Sequence, residues 1–170
     1  MRSPLYLLAL AMLPACAQKH VASQTRPAPT RPRTVSTIPI NTALGDTVLV
    51  FQRTPCFGKC PTYTATVFRN GRVEYLGERW VPVLGKHTTQ LPAATVTEML
   101  AAARRIDFNS LPPQFTGNVS DLPGVIIAVY QPGQHVHRVE GNQNMPENLQ
   151  GYITYLRSQL DPVAGIGADK

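Results

Sequence analysis

Thr62-Tyr63-Thr64-Ala65-Thr66-Val67-Phe68-Arg69-Asn70-Gly71-Arg72-Val73-Glu74-Tyr75-Leu76 is the stretch that decides the fold. Tyr63, Ala65 and Val67 alternate with Thr64 and Thr66. A period of two places the apolar set on one face of a half-buried strand. Asn70-Gly71 then supplies the strongest short hairpin signal, because this pair tolerates the positive φ that a tight turn needs. Val73 and Tyr75 continue the same face on a returning strand. The nucleus is therefore an antiparallel hairpin with one apolar face.

Outward from the hairpin, Val48–Arg53 reads as a strand, and Trp80–Val83 with Lys86–Gln90 reads as a further hairpin across Gly85. A helix follows. Thr95 and Glu98 have the spacing of a capping box, and Pro92 offers a start one turn earlier. Val96, Met99, Leu100, Ala103 and Ile106 form its apolar stripe. Pro112, Pro113 and Pro123 predict an irregular connection over residues 107–124, since proline cannot donate to a ladder. Val125–Tyr130 is apolar on both faces and reads as a central strand. Gln131-Pro132-Gly133-Gln134 is a turn, and His135–Glu140 pairs back. Leu149, Ile153, Leu156 and Leu160 predict a last helix from about Pro146 to Leu160. The order strands, helix, strands, helix predicts an α+β domain: a largely antiparallel sheet with two helices packed on one face. The domain spans 48–160, and 161–170 is expected to be a flexible tail.

The N-terminal part has a different character. Arg2 precedes an apolar run, Leu5–Leu13, of nine residues. That is too short to cross a bilayer as a helix, which takes about 20 residues, but it fits an export signal. The run ends in Leu13-Pro14-Ala15-Cys16, which resembles the lipobox of bacterial lipoproteins. The resemblance implies a signal peptide over 1–15 and a lipid on Cys16, making the membrane a partner through that anchor. Ala17, where an Asp would signal inner-membrane retention in proteobacteria, implies the outer membrane, facing the periplasm. Residues 16–47 hold Pro27, Pro29, Pro32 and Pro39 among small polar residues and read as a disordered tether.

Charge divides the same way. The chain carries 16 Lys and Arg against 10 Asp and Glu. Residues 17–47 have four basic against one acidic, and 48–170 have eleven against nine. The excess thus belongs largely to the signal and tether, where a basic stalk suits an anionic membrane surface. No basic patch interleaved with aromatics appears, so nucleic acid is not an expected partner.

Once Cys16 is lipidated, Cys56 and Cys60 remain as an even pair between two predicted strands. An exported compartment permits a disulfide, and Gly58 allows the chain to turn. Two alternatives stay open. A redox dithiol would have C-x-x-x-C in place of the usual C-x-x-C spacing, and lacks a following helix to lower a thiol pKa. A zinc site wants four ligands, which His87, His135 and His137 could complete in space. Asp121, His135 and His137 are candidate binding residues: the two histidines by alternation on one strand face, Asp121 by its place before the central strand. No hydrolase, zinc-protease or phosphate-loop signature occurs. No cofactor and no catalytic residue is expected.

Cys56-Phe57-Gly58-Lys59-Cys60-Pro61-Thr62-Tyr63 resembles the C-x-G-x-C-P-x-Y signature of a bacterial exported domain family of unknown function. Asn70-Gly71, Val73, Tyr75 and Gly77 match its continuation, as do Phe108–Leu111, Asp121–Pro123, Pro146 and Leu149. The resemblance spans about 48–160 and implies a small exported protein or lipoprotein without an assigned activity. The expectation is a non-enzymatic, membrane-anchored binding or structural module with an unknown envelope protein or ligand as partner. A thiol-redox or metal-binding protein acting through Cys56 and Cys60, and an enzyme-inhibitor-like module, are the alternatives.

Overall fold

The computed structural model describes residues 46–119, 121–131 and 135–167. Seven strands form one sheet: β1 Thr47–Arg53, β2 Thr62–Phe68, β3 Arg72–Arg79, β4 Gly85–Gln90, β5 Gln114–Phe115, β6 Val125–Val129 and β7 His137–Gly141. Their spatial order is β4-β3-β2-β1-β6-β7-β5. Every pairing is antiparallel except β5 with β7. Helices α1 Ala93–Arg105 and α2 Glu147–Leu160 complete the fold. This is an α+β fold.

Register shows how the sequence makes one face. Phe51 pairs with Ala65 on one side and Ile127 on the other, Ala65 pairs with Tyr75, and Ile127 with Val139. Alternation carries this whole row to the same face. All five are buried, and they share a core with Val96, Met99 and Ala103 of α1 and with Leu149, Tyr152, Ile153, Leu156 and Leu160 of α2. Each large apolar side chain buried this way contributes about 1.5–3 kcal/mol, which is why the two amphipathic stripes hold the helices down. On the opposite face Glu74, Leu76, Lys86 and Thr88 are exposed. Both sheet edges are blunted against further pairing: β4 is exposed along its length and carries Lys86, and β5 is two residues long.

The hairpin forms where expected, with a different turn. Only Gly71 of the Asn-Gly pair takes a positive φ, +89°, and its N–H donates to Phe68 O at 2.9 Å. A three-residue connection ending in a left-handed glycine replaces the two-residue turn.

Four expectations are corrected. Trp80–Val83 is not a strand: β3 itself runs to Arg79 and pairs directly with β4. The Thr95/Glu98 capping box does not form. The helix starts a turn earlier after Pro92, and Glu98 pairs with Arg105 at 2.6 Å instead. His135 lies outside β7, which begins at His137, so the two histidines do not share a strand face. The segment expected to be a loose tail is folded at its start: Asp161–Ala164 is a 3-10 turn, Ala164 is fully buried, and Val83 N donates to Ala164 O at 3.2 Å. The connection after α1 is irregular apart from a 3-10 turn at Phe108–Ser110 and the short β5. Up to residue 45 the expected signal and tether, Cys16 included, lie outside the described residues, as does most of the expected Gln131–Gln134 turn; Thr47, placed in the tether by its sequence context, is already part of β1.

Candidate functional site

Antiparallel register brings several connections to one end of the sheet. Arg53, the last residue of β1, pairs with Val125, the first of β6. Thr62 opens β2 opposite Arg79 of β3. The β1–β2, β3–β4 and β5–β6 connections therefore emerge together. Thr47, the first residue of β1, is at the other end.

The β1–β2 connection is closed by a disulfide. Cys56 and Cys60 are bonded, with Cα atoms 5.8 Å apart. Gly58 N–H donates to Cys56 Sγ at 3.2 Å, folding the loop on itself. Its base is clasped to the β5–β6 connection. Thr54 N–H donates to Gly124 O at 2.9 Å and Phe57 N–H to Asp121 O at 3.1 Å, while Gly124 N–H donates to Thr54 Oγ1 at 3.0 Å. Asp121 adopts a left-handed φ of 63°, a conformation Asp tolerates better than most residues. Its backbone carbonyl thereby holds the disulfide loop in place.

That loop presents Phe57 at 94 % exposure. Lys59 places its ammonium 5.5 Å from the ring centre of Trp80, which is 51 % exposed, within the range of a cation–π contact. Among the described residues six large apolar side chains are exposed. Phe57, Trp80, Leu84 and Val119 are four of them, and all belong to connections at this end. Singly exposed apolar residues are ordinary; here four lie on connections at the same end of the sheet.

Below the loops lies a charged network. In β1 the alternation that buries Leu49 and Phe51 also turns Arg53 toward the core face. Arg53 Nη1 donates to both Asp161 oxygens, at 3.1 and 3.2 Å. Tyr63 Oη donates to Asp161 Oδ1 at 2.7 Å, and Arg157 Nε to Oδ2 at 3.3 Å. The Arg53 and Asp161 side chains are only 13 % and 14 % exposed. Burial pushes the Tyr63 phenol well above its ordinary pKa, and the hydrogen bond to the Asp161 carboxylate adds to the rise. Tyr63 is thus a fixed neutral donor. Beside the network is a cleft of about 180 Å³ walled by Arg53, Thr54, Pro61, Met145, Ile153 and Arg157.

The other candidates are dispersed. His137 makes a ring-nitrogen contact with Leu111 O at 3.0 Å and meets the Phe108 ring edge at 5.6 Å, so it packs under the Pro-rich connection. His135 is exposed. His87, on β4, contacts Leu84 O at 2.9 Å. Five strand spacings separate β4 from β7, about 24 Å at ~4.8 Å each. His87 and His137 therefore cannot share a metal, and the two sulfurs are bonded to each other. Among the described residues no three His, Cys, Asp or Glu side chains are grouped to hold a metal ion. The chain after Cys60 enters a strand, so no helix N-terminus acidifies a thiol.

Arg53, Asp161 and Arg157 are not among the residues that the sequence singles out. The signal present is a cation in core phase, Leu49-Phe51-Arg53, which demands a buried counter-ion. Nothing in the sequence marks Asp161 as that partner.

The profile of a family described as a domain of unknown function, DUF6438, matches residues 47–160. No curated protein matches the chain.

Proposed function

The chain belongs to the DUF6438 family of domains of unknown function, and we propose that it is a non-enzymatic binding module, held in the bacterial envelope by a lipid on Cys16, that meets its partner with the disulfide end of its sheet. The observation that carries this reading is Phe57, 94 % exposed on a loop held in shape by the Cys56–Cys60 bond. A large apolar side chain in water gains nothing for folding. Fixing it covalently lowers the entropy lost when it inserts into a partner. Trp80 and Lys59 beside it supply an amphipathic ring and a charge, and aromatic rings of this kind dominate contact energies.

β1 puts about 23 Å, seven residues at ~3.3 Å each, between Thr47 and the disulfide loop. The thiol and carboxylate groups named here serve the structure: both thiols are oxidised, and Asp161 is neutralised by its donors. That use suits binding rather than general acid–base work. Among the described residues no helix is long and apolar enough to cross a membrane, and a lipid anchor requires none.

Photo-crosslinking tests it. The full chain is expressed in its native host with a photoreactive phenylalanine analogue at position 57, or at Val136, which is 47 % exposed at the tether end of β7. Position 57 should give a discrete adduct that Trp80→Ala abolishes, and position 136 should give none. Equal labelling from both positions, or none from 57, would sink the proposal.

A further inference from the structure

We propose that the cleft beside Arg53 and Arg157 receives a free carboxylate carried next to a small apolar group, as at the C-terminus of a peptide. This rests on reading the disulfide end as the binding surface and names the chemistry that surface takes.

The two guanidiniums hold donors that the fold does not use. A guanidinium has five N–H groups. Arg53 contacts Asp161 through Nη1 alone, and Arg157 does so through Nε alone. Among the described residues neither has another acceptor, and both line the cleft. The charges do not balance either. One carboxylate, Asp161, faces two guanidiniums, and the cleft wall itself contains no carboxylate. A purely structural pair between β1 and the end of α2 would need only Arg53. Arg157 adds one long contact, stays 47 % exposed, and leaves the cleft one positive charge in excess.

The rest of the wall defines the ligand. Thr54 Oγ1 already accepts from Gly124 N–H, so its own proton can be donated into the cleft. Pro61, Met145 and Ile153 make the remainder apolar. A planar carboxylate fits the fork of a guanidinium, and the apolar wall suits a short side chain attached to it. The volume, about 180 Å³, is below the roughly 300–1,000 Å³ of drug-sized sites. It suits one terminal residue rather than a whole ligand. The site lies at the same sheet end as Phe57, since Thr54 and Pro61 of the disulfide connection form part of its wall.

The full chain in detergent, labelled with 15N, is titrated with acetyl-Ala-Ala as the free acid, with the same peptide as its C-terminal amide, and with inorganic phosphate. The free acid should move the amide signals of Thr54 and Gly124 and the Nε–H signals of Arg53 and Arg157. The amide should bind at least about tenfold more weakly. Arg157→Gln should weaken the acid by about tenfold and leave the remaining spectrum in place, because Asp161 keeps Arg53 and Tyr63. Acid binding should fade as pH falls through about 3.5, where a peptide's terminal carboxylate protonates. Acid and amide binding alike, phosphate binding as tightly as the acid, or Arg157→Gln without effect would each overturn the proposal. Adduct formation at position 57 is measured without these ligands, so the docking surface and the carboxylate cleft fail separately.

Discussion

Tyr63 and Asp161 stand 98 residues apart in the chain and 2.7 Å apart in the fold. The bond ties β2 to the turn after α2 and lets Asp161 neutralise Arg53 at the end of β1. A hydrogen bond to a charged group contributes about 1.5–3 kcal/mol. Tyr63→Phe should therefore lower the unfolding free energy by about 2 kcal/mol. Asp161→Ala should cost more, about 3 kcal/mol, because it strands the guanidinium of Arg53. Urea denaturation of the two variants checks the order. A Tyr63→Phe protein as stable as the parent would show that the contact is idle.

The same region sets an alkaline limit. Tyr63, Tyr75 and Tyr152 have pKa values above the ordinary 10, in each case chiefly because burial penalises the phenolate. Tyr75, which donates to Val83 O at 2.9 Å, is pushed up to about 12. For a raised pKa the sign is fixed. Below pH about 10 both folded and unfolded phenols are neutral and stability is unaffected. Above it the unfolded chain releases protons that the folded chain retains, so stability falls as pH rises. Urea midpoints should be level up to about pH 9 and decline by about pH 11. Phenolate absorbance in native buffer should report only the tyrosines outside the core. Early, complete titration of all tyrosines in the folded protein would contradict this picture.

The legible parts of the fold are those where one local period decides the outcome. Tyr63-Ala65-Val67 and Val73-Tyr75 could only be buried on one face, and Leu149-Ile153-Leu156-Leu160 could only be a helix stripe. Structure departs from sequence expectation where tertiary contacts override local signals. Trp80 sits in a β-rich stretch, yet it takes a φ of 55°, because β3 and β4 pair directly and the chain must loop out between them. The Asp161–Ala164 turn has tail-like composition but is held by Arg53 and Tyr63, partners from the other half of the chain. The candidate site follows the same division. Cys56 and Cys60 announce themselves by spacing. The Arg53–Asp161 pair spans 108 residues, and no local pattern encodes it.

Anchoring makes a separate prediction. Two or more acyl chains hold a protein firmly at a membrane, since each buried CH2 contributes about 0.8 kcal/mol. The parent chain should incorporate labelled palmitate and sediment with membranes. Cys16→Ser should lose both the label and the sedimentation, with the folded domain unchanged. Label persisting in the Cys16→Ser protein would place the acylation elsewhere.

The disulfide should matter more to recognition than to stability. The loop it closes spans five residues, from Cys56 to Cys60. The chain-entropy model gives about 2 kcal/mol for a loop that short. The loop's base is independently clasped through Thr54–Gly124 and Phe57–Asp121. Replacing both cysteines by serine should therefore leave the sheet intact, with a modestly lower unfolding midpoint. What it should loosen is the turn beyond Phe57: the Phe57 N–H keeps Asp121 O, but its exposed ring has little packing to hold its direction once the covalent link is gone. Adduct yield at position 57 should then fall severalfold while the circular dichroism spectrum is unchanged. Intact mass after alkylation without reductant should show no adduct on Cys56 or Cys60 in the parent. Free thiols there, or undiminished crosslinking in the double serine variant, would remove the disulfide from the recognition mechanism.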